Sequence, residues 1–168
     1  MKKLLVLLIL VITAGCSNAQ TSNTNAPNIK TIAPFRILTT DSVIKTPKDL
    51  KKNKPVMLIY FSPDCSHCQH MMYEMKPVMK DLRNIQVVMI TWSLNYDLRG
   101  IRNFYRDFGL SAYPNFMVGT EGYTYVVQRY YAVRTTPYIA IYDRKGNLVK
   151  AFDKVPKMEE LVEAVKKA

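Results

Sequence analysis

Short unbroken runs of apolar residues alternate along this chain with segments whose apolar residues recur at helical spacing. The runs at residues 56–61 and 85–91 predict strands buried on both faces, because neither run offers a polar stripe to solvent. Three further runs predict strands, at residues 35–38, 138–142 and 148–152. Helical spacing predicts helices at residues 98–108 and 158–165, and residues 115–131 predict a short extended piece and then a tyrosine-rich helix.

The clearest helical stripe follows the first buried strand. Its members recur at steps of three and four and share one helix face: Cys68, Met72, Met75, Met79 and Leu82. Pro77 lies within this pattern and predicts a kink near residues 73–77, because proline cannot donate the backbone hydrogen bond of a helix. We interpret the methionines as core residues and not as copper ligands, since a methionine stripe at helical spacing usually fills a core.

The order of these elements predicts the fold class. Strands that alternate with helices pair in parallel through right-handed crossovers, and the final hairpin around residues 144–147 adds antiparallel strands. We therefore predict an α/β fold, with a mixed central sheet flanked by helices, over residues 34–168.

The first residues predict export and a lipid anchor. Residues 1–15 have a positive start, a short apolar run and small residues at the end, which indicates a signal peptide; the apolar run is too short to span a bilayer. The segment Thr13-Ala14-Gly15-Cys16 resembles a bacterial lipobox, which implies that Cys16 carries lipid. An ordinary secretory signal is the alternative. Residues 16–33, polar and almost uncharged, predict a lipidated cysteine and a flexible tether.

The chain is basic, with 24 Lys and Arg against 13 Asp and Glu and a formal net charge of +11. Such a charge attracts nucleic acid or an anionic membrane face. No nucleic-acid module is recognisable, so we predict no nucleic-acid partner. The densest basic group, at residues 45–54, is interpreted as a solvated surface, with attraction to a membrane as the alternative.

Candidate chemistry lies where the first buried strand meets its helix, in Cys65-Ser66-His67-Cys68. A cysteine at a helix N-terminus feels the helix dipole and free N–H groups, which lower its pKa. Asp64 or Ser62 is the expected helix cap. Cys65 is therefore the predicted nucleophile, and Cys68, within one turn, is the predicted resolving thiol of a redox-active disulfide that needs no other cofactor.

Other uses of two nearby cysteines fit less well. A zinc site needs four ligands, yet His67 and His70 are the only histidines and lie in the same turn. A c-type haem needs His directly after the second cysteine, where Gln69 stands. A peroxidatic motif would match Ser62 but requires proline at Leu58. A purely structural disulfide remains open.

Residues 35–168 resemble the thioredoxin-like superfamily, specifically the TlpA-like branch of exported lipoprotein thiol-disulfide interchange proteins. Besides the cysteine motif, Val133-Arg134-Thr135-Thr136-Pro137-Tyr138 looks like the family's cis-proline loop. The resemblance implies that Pro137 is the cis residue and that Thr136 offers backbone hydrogen bonds to substrate. It also implies that the helix at residues 98–108 is inserted between the cysteine helix and this loop.

Two departures from the family pattern concern the site. Asp64 replaces the usual tryptophan, and Ile59 stands where many thioredoxins carry a buried acid, so Glu74 is a weak candidate for proton transfer. His67, with Ser66, resembles the insert of oxidising branches, which implies a stabilised Cys65 thiolate and a potential above that of thioredoxin.

These observations predict a lipid-anchored, periplasm-facing protein that exchanges disulfides with exported client proteins and is reset by an unidentified redox partner. A peroxide reductase and a non-catalytic binding lipoprotein of the same fold are the alternatives.

Overall fold

The computed structural model describes residues 29–168, which form one seven-stranded sheet with helices on both faces. In chain order the strands are β1 (Ile37–Thr39), β2 (Ile44–Lys45), β3 (Val56–Tyr60), β4 (Gln86–Thr91), β5 (Phe116–Thr120), β6 (Tyr138–Tyr142) and β7 (Leu148–Phe152). Across the sheet they follow the order β2-β1-β5-β4-β3-β6-β7. The apolar runs therefore form the predicted strands, and only β2, two residues long, lacked a sequence pattern.

The sheet is mixed, as predicted. Strands β3, β4 and β5 are parallel neighbours, whereas β6 runs antiparallel to β3 and β7 antiparallel to β6. In this register Tyr60 lies opposite Ile90 on one side and Tyr138 on the other. The carboxyl ends of β3, β4 and β5 and the start of β6 thus meet at one end of the sheet, called here the upper edge. The starts of β3, β4 and β5 and the end of β6 form the lower edge.

Four helices cover the two faces: α1 (Ser66–Met75), α2 (Arg99–Asp107), α3 (Val126–Tyr130) and α4 (Met158–Lys166). Helices α1, α2 and α4 pack on one face, over a buried core in which methionines are prominent, and α3 packs on the other, where tyrosines dominate. The methionines of the predicted stripe are at most 2% exposed, which confirms that they fill the core. In chain order, helix α2 lies between α1 and the loop before β6, at the position where the sequence predicted a helix.

The stripe after Cys68 is not one continuous helix. Helix α1 ends at Met75, and a 3-10 turn, Lys76–Val78, follows with Pro77 at its second position. Proline breaks the α-helical hydrogen bonds there, yet Met79 and Leu82 still reach the core because the chain continues in 3-10 turns. None of the helices within residues 29–168 is long and apolar enough to cross a membrane.

The packed part of the chain begins earlier than the predicted boundary at residue 34. The Ala33 N–H donates to the Tyr131 hydroxyl at 3.1 Å, and Ala33 itself is fully buried. The carbonyl of Ile29 accepts a hydrogen bond from the Tyr142 hydroxyl at 3.1 Å. The predicted signal peptide, Cys16 and most of the predicted tether lie outside the described residues.

Candidate redox site

Cys65 lies at the upper edge, in the loop between β3 and α1. The Phe61 N–H donates to the Ile90 carbonyl at 2.9 Å, so the pairing of β3 with β4 continues one residue into this loop. Cys65 is itself the N-cap of α1, and its Sγ accepts a hydrogen bond from the Cys68 N–H at 3.4 Å. The prediction that Asp64 or Ser62 caps this helix is therefore wrong: the sulfur occupies the cap position, so the first free N–H groups of the helix point at it.

The loop before β6 brings Thr136 and Pro137 to the same place. Because β6 neighbours β3 in the sheet, the residues just before Tyr138 lie beside the loop that follows Tyr60. The Thr136–Pro137 peptide bond is cis, and the Cys65 thiol donates to the Thr136 carbonyl at 3.4 Å. Residues that are seventy-one positions apart in sequence thus meet around one sulfur atom.

The two cysteines differ in burial and in acidity. Cys65 is partly exposed. Its partial burial opposes ionisation, but hydrogen bonds outweigh this effect, so the pKa of Cys65 is lowered. These hydrogen bonds come from the Thr136 side chain, the Cys68 thiol and the backbone N–H groups of Cys68 and His67. Cys68 is fully buried, and burial, followed by its hydrogen bond to Cys65, raises its pKa to about 12. Both thiols are free in this structure. The pair therefore offers one accessible thiol that ionises more readily than an ordinary cysteine and one buried, protonated thiol behind it.

Ser66 and His67 follow Cys65 on the exposed first turn of α1. Neither side chain makes a hydrogen bond to any of residues 29–168, and the His67 contribution to the Cys65 thiolate comes from its backbone N–H. Redox tuning by the His67 imidazole stays a prediction. Glu74, the weak proton-transfer candidate, is turned toward His70, whose Nε2 lies 3.2 Å from its carboxylate.

Two residues that hold this loop were given no role at the site by the sequence analysis. The Gln69 side-chain amide donates to the Pro63 carbonyl at 2.8 Å and ties α1 back to the loop. Phe104 of α2 packs on Phe61, with ring centroids 4.8 Å apart. Helix α2 therefore supports the end of β3 that leads to Cys65. The apolar spacing in the sequence predicted this helix but not its contact with Phe61.

A buried carboxylate at the upper edge was also missed. Glu121, only 1% exposed, accepts hydrogen bonds from the Tyr60 hydroxyl at 3.0 Å and the Val127 N–H at 2.9 Å. Burial and the Glu121 charge raise the pKa of Tyr60, which keeps this phenol protonated as a donor. A lone glutamate after a strand resembles an ordinary surface residue in sequence. Within the described part of the chain, no three His, Cys, Asp or Glu side chains converge as metal ligands do.

The sequence and the geometry agree with a comparison against protein families. Residues 47–168, most of the chain, match the thioredoxin-like domain. The chain belongs to the thioredoxin-like family. The superfamily and the fold class predicted from the sequence are thereby confirmed, whereas assignment to the TlpA-like branch stays a prediction, as does the status of α2 as an insertion.

Solved structures with this fold include exported proteins. A secreted disulfide oxidoreductase of Mycobacterium tuberculosis is 19% identical, with a TM-score of 0.66, and the match covers 80% of this chain and 96% of that one. An exposed lipoprotein thioredoxin of Streptococcus pneumoniae is 22% identical, with a TM-score of 0.62 and coverage of 80% and 98%. A thioredoxin-like protein of Aeropyrum pernix is 20% identical, with a TM-score of 0.60 and coverage of 80% and 89%. No curated protein matches the sequence.

Proposed function

We propose that this protein is a thiol-disulfide oxidoreductase of the bacterial cell envelope that exchanges disulfides with exported client proteins. One observation carries the proposal: an accessible cysteine with a lowered pKa caps α1, while a buried, protonated cysteine lies one turn behind it. A structural disulfide needs neither the accessibility nor the difference in acidity. Membership of the thioredoxin-like family supports the same activity.

The chemistry uses the two sulfurs in turn. The Cys65 thiolate attacks a client disulfide, forming a mixed disulfide as the client's own sulfur–sulfur bond breaks and one client thiolate leaves. Cys68 then loses its proton and attacks the Cys65 sulfur, which releases the second client thiolate and closes the Cys65–Cys68 disulfide. Two electrons pass to the client; in the reverse direction the closed disulfide takes two electrons from a client dithiol. No further cofactor is required.

Thr136 and Pro137 are the proposed backbone contact for the client. The Thr136 carbonyl already lies 3.4 Å from the Cys65 sulfur, so a client cysteine joined to Cys65 passes directly along this loop. An extended client backbone next to this loop can hydrogen-bond to the backbone of Thr136, as an added strand does.

Trapping of the mixed disulfide tests the exchange reaction. Cys68→Ser leaves the attacking sulfur but removes the resolving one, so client proteins should accumulate on Cys65 and be released by dithiothreitol. Cys65→Ser with Cys68 intact is the matched control and should trap nothing, because the remaining thiol is buried. Absence of trapped clients in the Cys68→Ser strain would contradict the proposal and favour a binding lipoprotein that only keeps the fold.

The direction of exchange is a second part of the proposal. In Cys65-Ser66-His67-Cys68 the imidazole precedes the resolving cysteine, and stabilisation of the thiolate favours the reduced form and makes the disulfide more oxidising. We expect a potential above that of thioredoxin and a lower potential in His67→Gln. Titration against glutathione measures both, and a thioredoxin-like or lower value for the native pair overturns this part alone.

Anchoring through Cys16 is the third part. It is supported by the lipobox-like Thr13-Ala14-Gly15-Cys16 and by the lipoprotein thioredoxin of Streptococcus pneumoniae that shares the fold. Palmitate labelling and membrane fractionation test it: native protein should carry label and sediment with membranes. Cys16→Ser should lose both, and a labelled Cys16→Ser protein would show that lipid is attached elsewhere or that the assignment is incorrect.

A further inference from the structure

Basic side chains gather at the lower edge, the end of the sheet remote from Cys65. The loop before β3 and the turn between β6 and β7 line one cavity of about 390 Å³ there. Its basic lining residues are Lys51, Lys52, Lys54, Arg144 and Lys145. Among residues 29–168 none of these five side chains lies within ion-pairing distance of a carboxylate. Two segments far apart in sequence therefore form a single patch of positive charge, which we call the basic patch.

One carboxylate, Asp143, also lines this cavity. Its Oδ1 accepts hydrogen bonds from the backbone N–H groups of Lys145 and Asn147, each at 2.8 Å, and its Oδ2 accepts one from the Asn147 side chain at 3.1 Å. Asp143 thus serves the turn between β6 and β7, and its charge offsets only one of the five basic side chains. The patch remains strongly positive and suits an anionic ligand.

The start of the described chain is held at the same edge. The Ile29 carbonyl accepts from the hydroxyl of Tyr142, the last residue of β6, and the Lys30 carbonyl accepts from the N–H of Leu148, the first residue of β7, at 3.1 Å. The residues that precede Ile29, with Cys16 among them, therefore join the domain at the lower edge. Lys30 is exposed and adds a further positive charge there.

Cys65 lies beyond the other end of the same strand. Strand β3 begins beside the basic patch and rises about 3.3 Å per residue over five residues, which separates its ends by about 13 Å. The loop at residues 61–64 carries the chain further before Cys65 is reached. The redox site and the basic patch thus face opposite directions along β3.

We propose that the basic patch binds the phosphate groups of anionic phospholipids, so that the lower edge rests on the membrane and Cys65 faces away from it. This inference rests on the proposed lipid anchor, since the chain that leads back to Cys16 joins the domain at this edge. Each lysine or arginine near an anionic bilayer adds attraction, and several on one side of the domain favour the orientation that brings that side to the bilayer. Outward orientation keeps the Cys65 sulfur open to clients.

Vesicle binding tests the patch. The probe is the full chain with Cys16→Ser, which removes the proposed lipid site, mixed with phosphatidylcholine vesicles with or without phosphatidylglycerol. Lys52→Gln with Lys145→Gln should lower the partition onto phosphatidylglycerol vesicles about 25-fold, roughly fivefold for each charge. The matched control is Lys154→Gln with Lys157→Gln, which changes two exposed residues beyond the upper end of β7. This control should change the partition onto phosphatidylglycerol vesicles less than twofold. The proposal is overturned if both double variants lose equal amounts of vesicle binding, or if the protein shows no preference for vesicles that contain phosphatidylglycerol.

The orientation has its own readout, because the chain contains one tryptophan, Trp92, directly after β4 at the upper edge. In lipidated protein reconstituted with dansyl-labelled headgroups, energy transfer from Trp92 should be weaker when the vesicles contain phosphatidylglycerol. In the double variant with Lys52→Gln and Lys145→Gln, energy transfer should return to the level seen with vesicles that lack phosphatidylglycerol. Stronger transfer with phosphatidylglycerol would place the redox edge on the membrane and refute the inference. Neither readout uses a thiol, so failure of disulfide exchange leaves both results interpretable.

Discussion

The two ends of one sheet are built in different ways. At the upper edge, chemistry depends on long-range contacts: Thr136 reaches Cys65, and Tyr60 reaches Glu121 across sixty-one residues. At the lower edge, the turn between β6 and β7 is held by its own Asp143, and its basic side chains remain in solvent. Packing between distant segments fixes the groups that must react, whereas Arg144 and Lys145 are presented by a turn that its own hydrogen bonds hold.

The loops of the upper edge are also crowded and aromatic. The rings of Trp92 and Tyr123 stack with centroids 5.8 Å apart, and Tyr125 adopts a left-handed backbone with φ of 49°. Gly122 lies under Tyr96, where a Cβ would come within 2.7 Å of the ring. By contrast, Gly146 in the lower-edge turn has no neighbour that an added Cβ would touch. Substitutions at the upper edge should therefore destabilise the protein more than substitutions at the lower edge.

The largest effect should separate the two thiols. In the reduced protein at pH 7, iodoacetamide should alkylate Cys65 more than about a thousandfold faster than Cys68, whose pKa is raised to about 12 by burial. The Cys65 rate should rise with pH as the thiolate forms, and the midpoint of this rise should lie at a lower pH than for an ordinary cysteine, because the pKa of Cys65 is lowered. Mass spectrometry of the modified peptide measures both rates. Urea-unfolded protein is the control, in which the two rates should converge; similar rates in the folded protein would remove the basis of the proposed mechanism.

The next effect concerns the buried carboxylate. Glu121→Ala leaves the Tyr60 hydroxyl and the Val127 N–H buried without their acceptor, so the free energy of unfolding should fall by about 3 kcal/mol. Urea denaturation measures it. Glu163→Ala is the control: its ion pair with Lys167 is exposed and screened by solvent, so the free energy of unfolding should change far less than in Glu121→Ala. Similar losses in both variants would mean that Glu121 is not held as described.

A pair of glycines compares the edges directly. Gly122 and Gly146 both have positive φ, 63° and 82°, so alanine at either position costs about 1 kcal/mol of backbone energy. At Gly122 the new methyl group also displaces the Tyr96 ring, and the total loss should reach at least about 2 kcal/mol. Thermal or urea unfolding of Gly122→Ala and Gly146→Ala measures the difference. Equal costs would show that the upper edge yields as readily as the lower one.

The smallest effect should come from the basic patch. Lys52→Gln with Lys145→Gln should change the free energy of unfolding by less than about 0.5 kcal/mol, because both side chains are exposed and form no ion pair within residues 29–168. The alkylation rate of Cys65 should stay within about twofold, since the length of β3 exceeds the screening distance of about 8 Å at physiological salt. A larger change in that rate would show that the two edges are electrostatically coupled.

Much of the fold could be predicted because burial imposes local patterns. Strands β3 and β4 are buried on both faces and read as unbroken apolar runs, and α2 ends within two residues of its predicted limits. The kink expected near Pro77 appears as the end of α1. Boundaries that depend on tertiary contacts were less accurate: residues 29–33 pack on the domain because tyrosine hydroxyls of α3 and β6 bind their backbone.

The redox site also combines features that local sequence patterns predict with features that depend on tertiary contacts. That two cysteines begin a helix after a buried strand could be predicted from the sequence alone, because strand, turn and helix are local patterns and only two residues separate the cysteines, which keeps the sulfurs within one turn. The surroundings of the two cysteines come from the folded structure: Cys65 caps its own helix, Thr136 contacts its sulfur, and Cys68 lies in the core. The same is true of the lysines before β3, which share a cavity with the turn after β6. Strand order and register bring these groups together, and register is a property of the whole sheet that no single segment of the chain encodes.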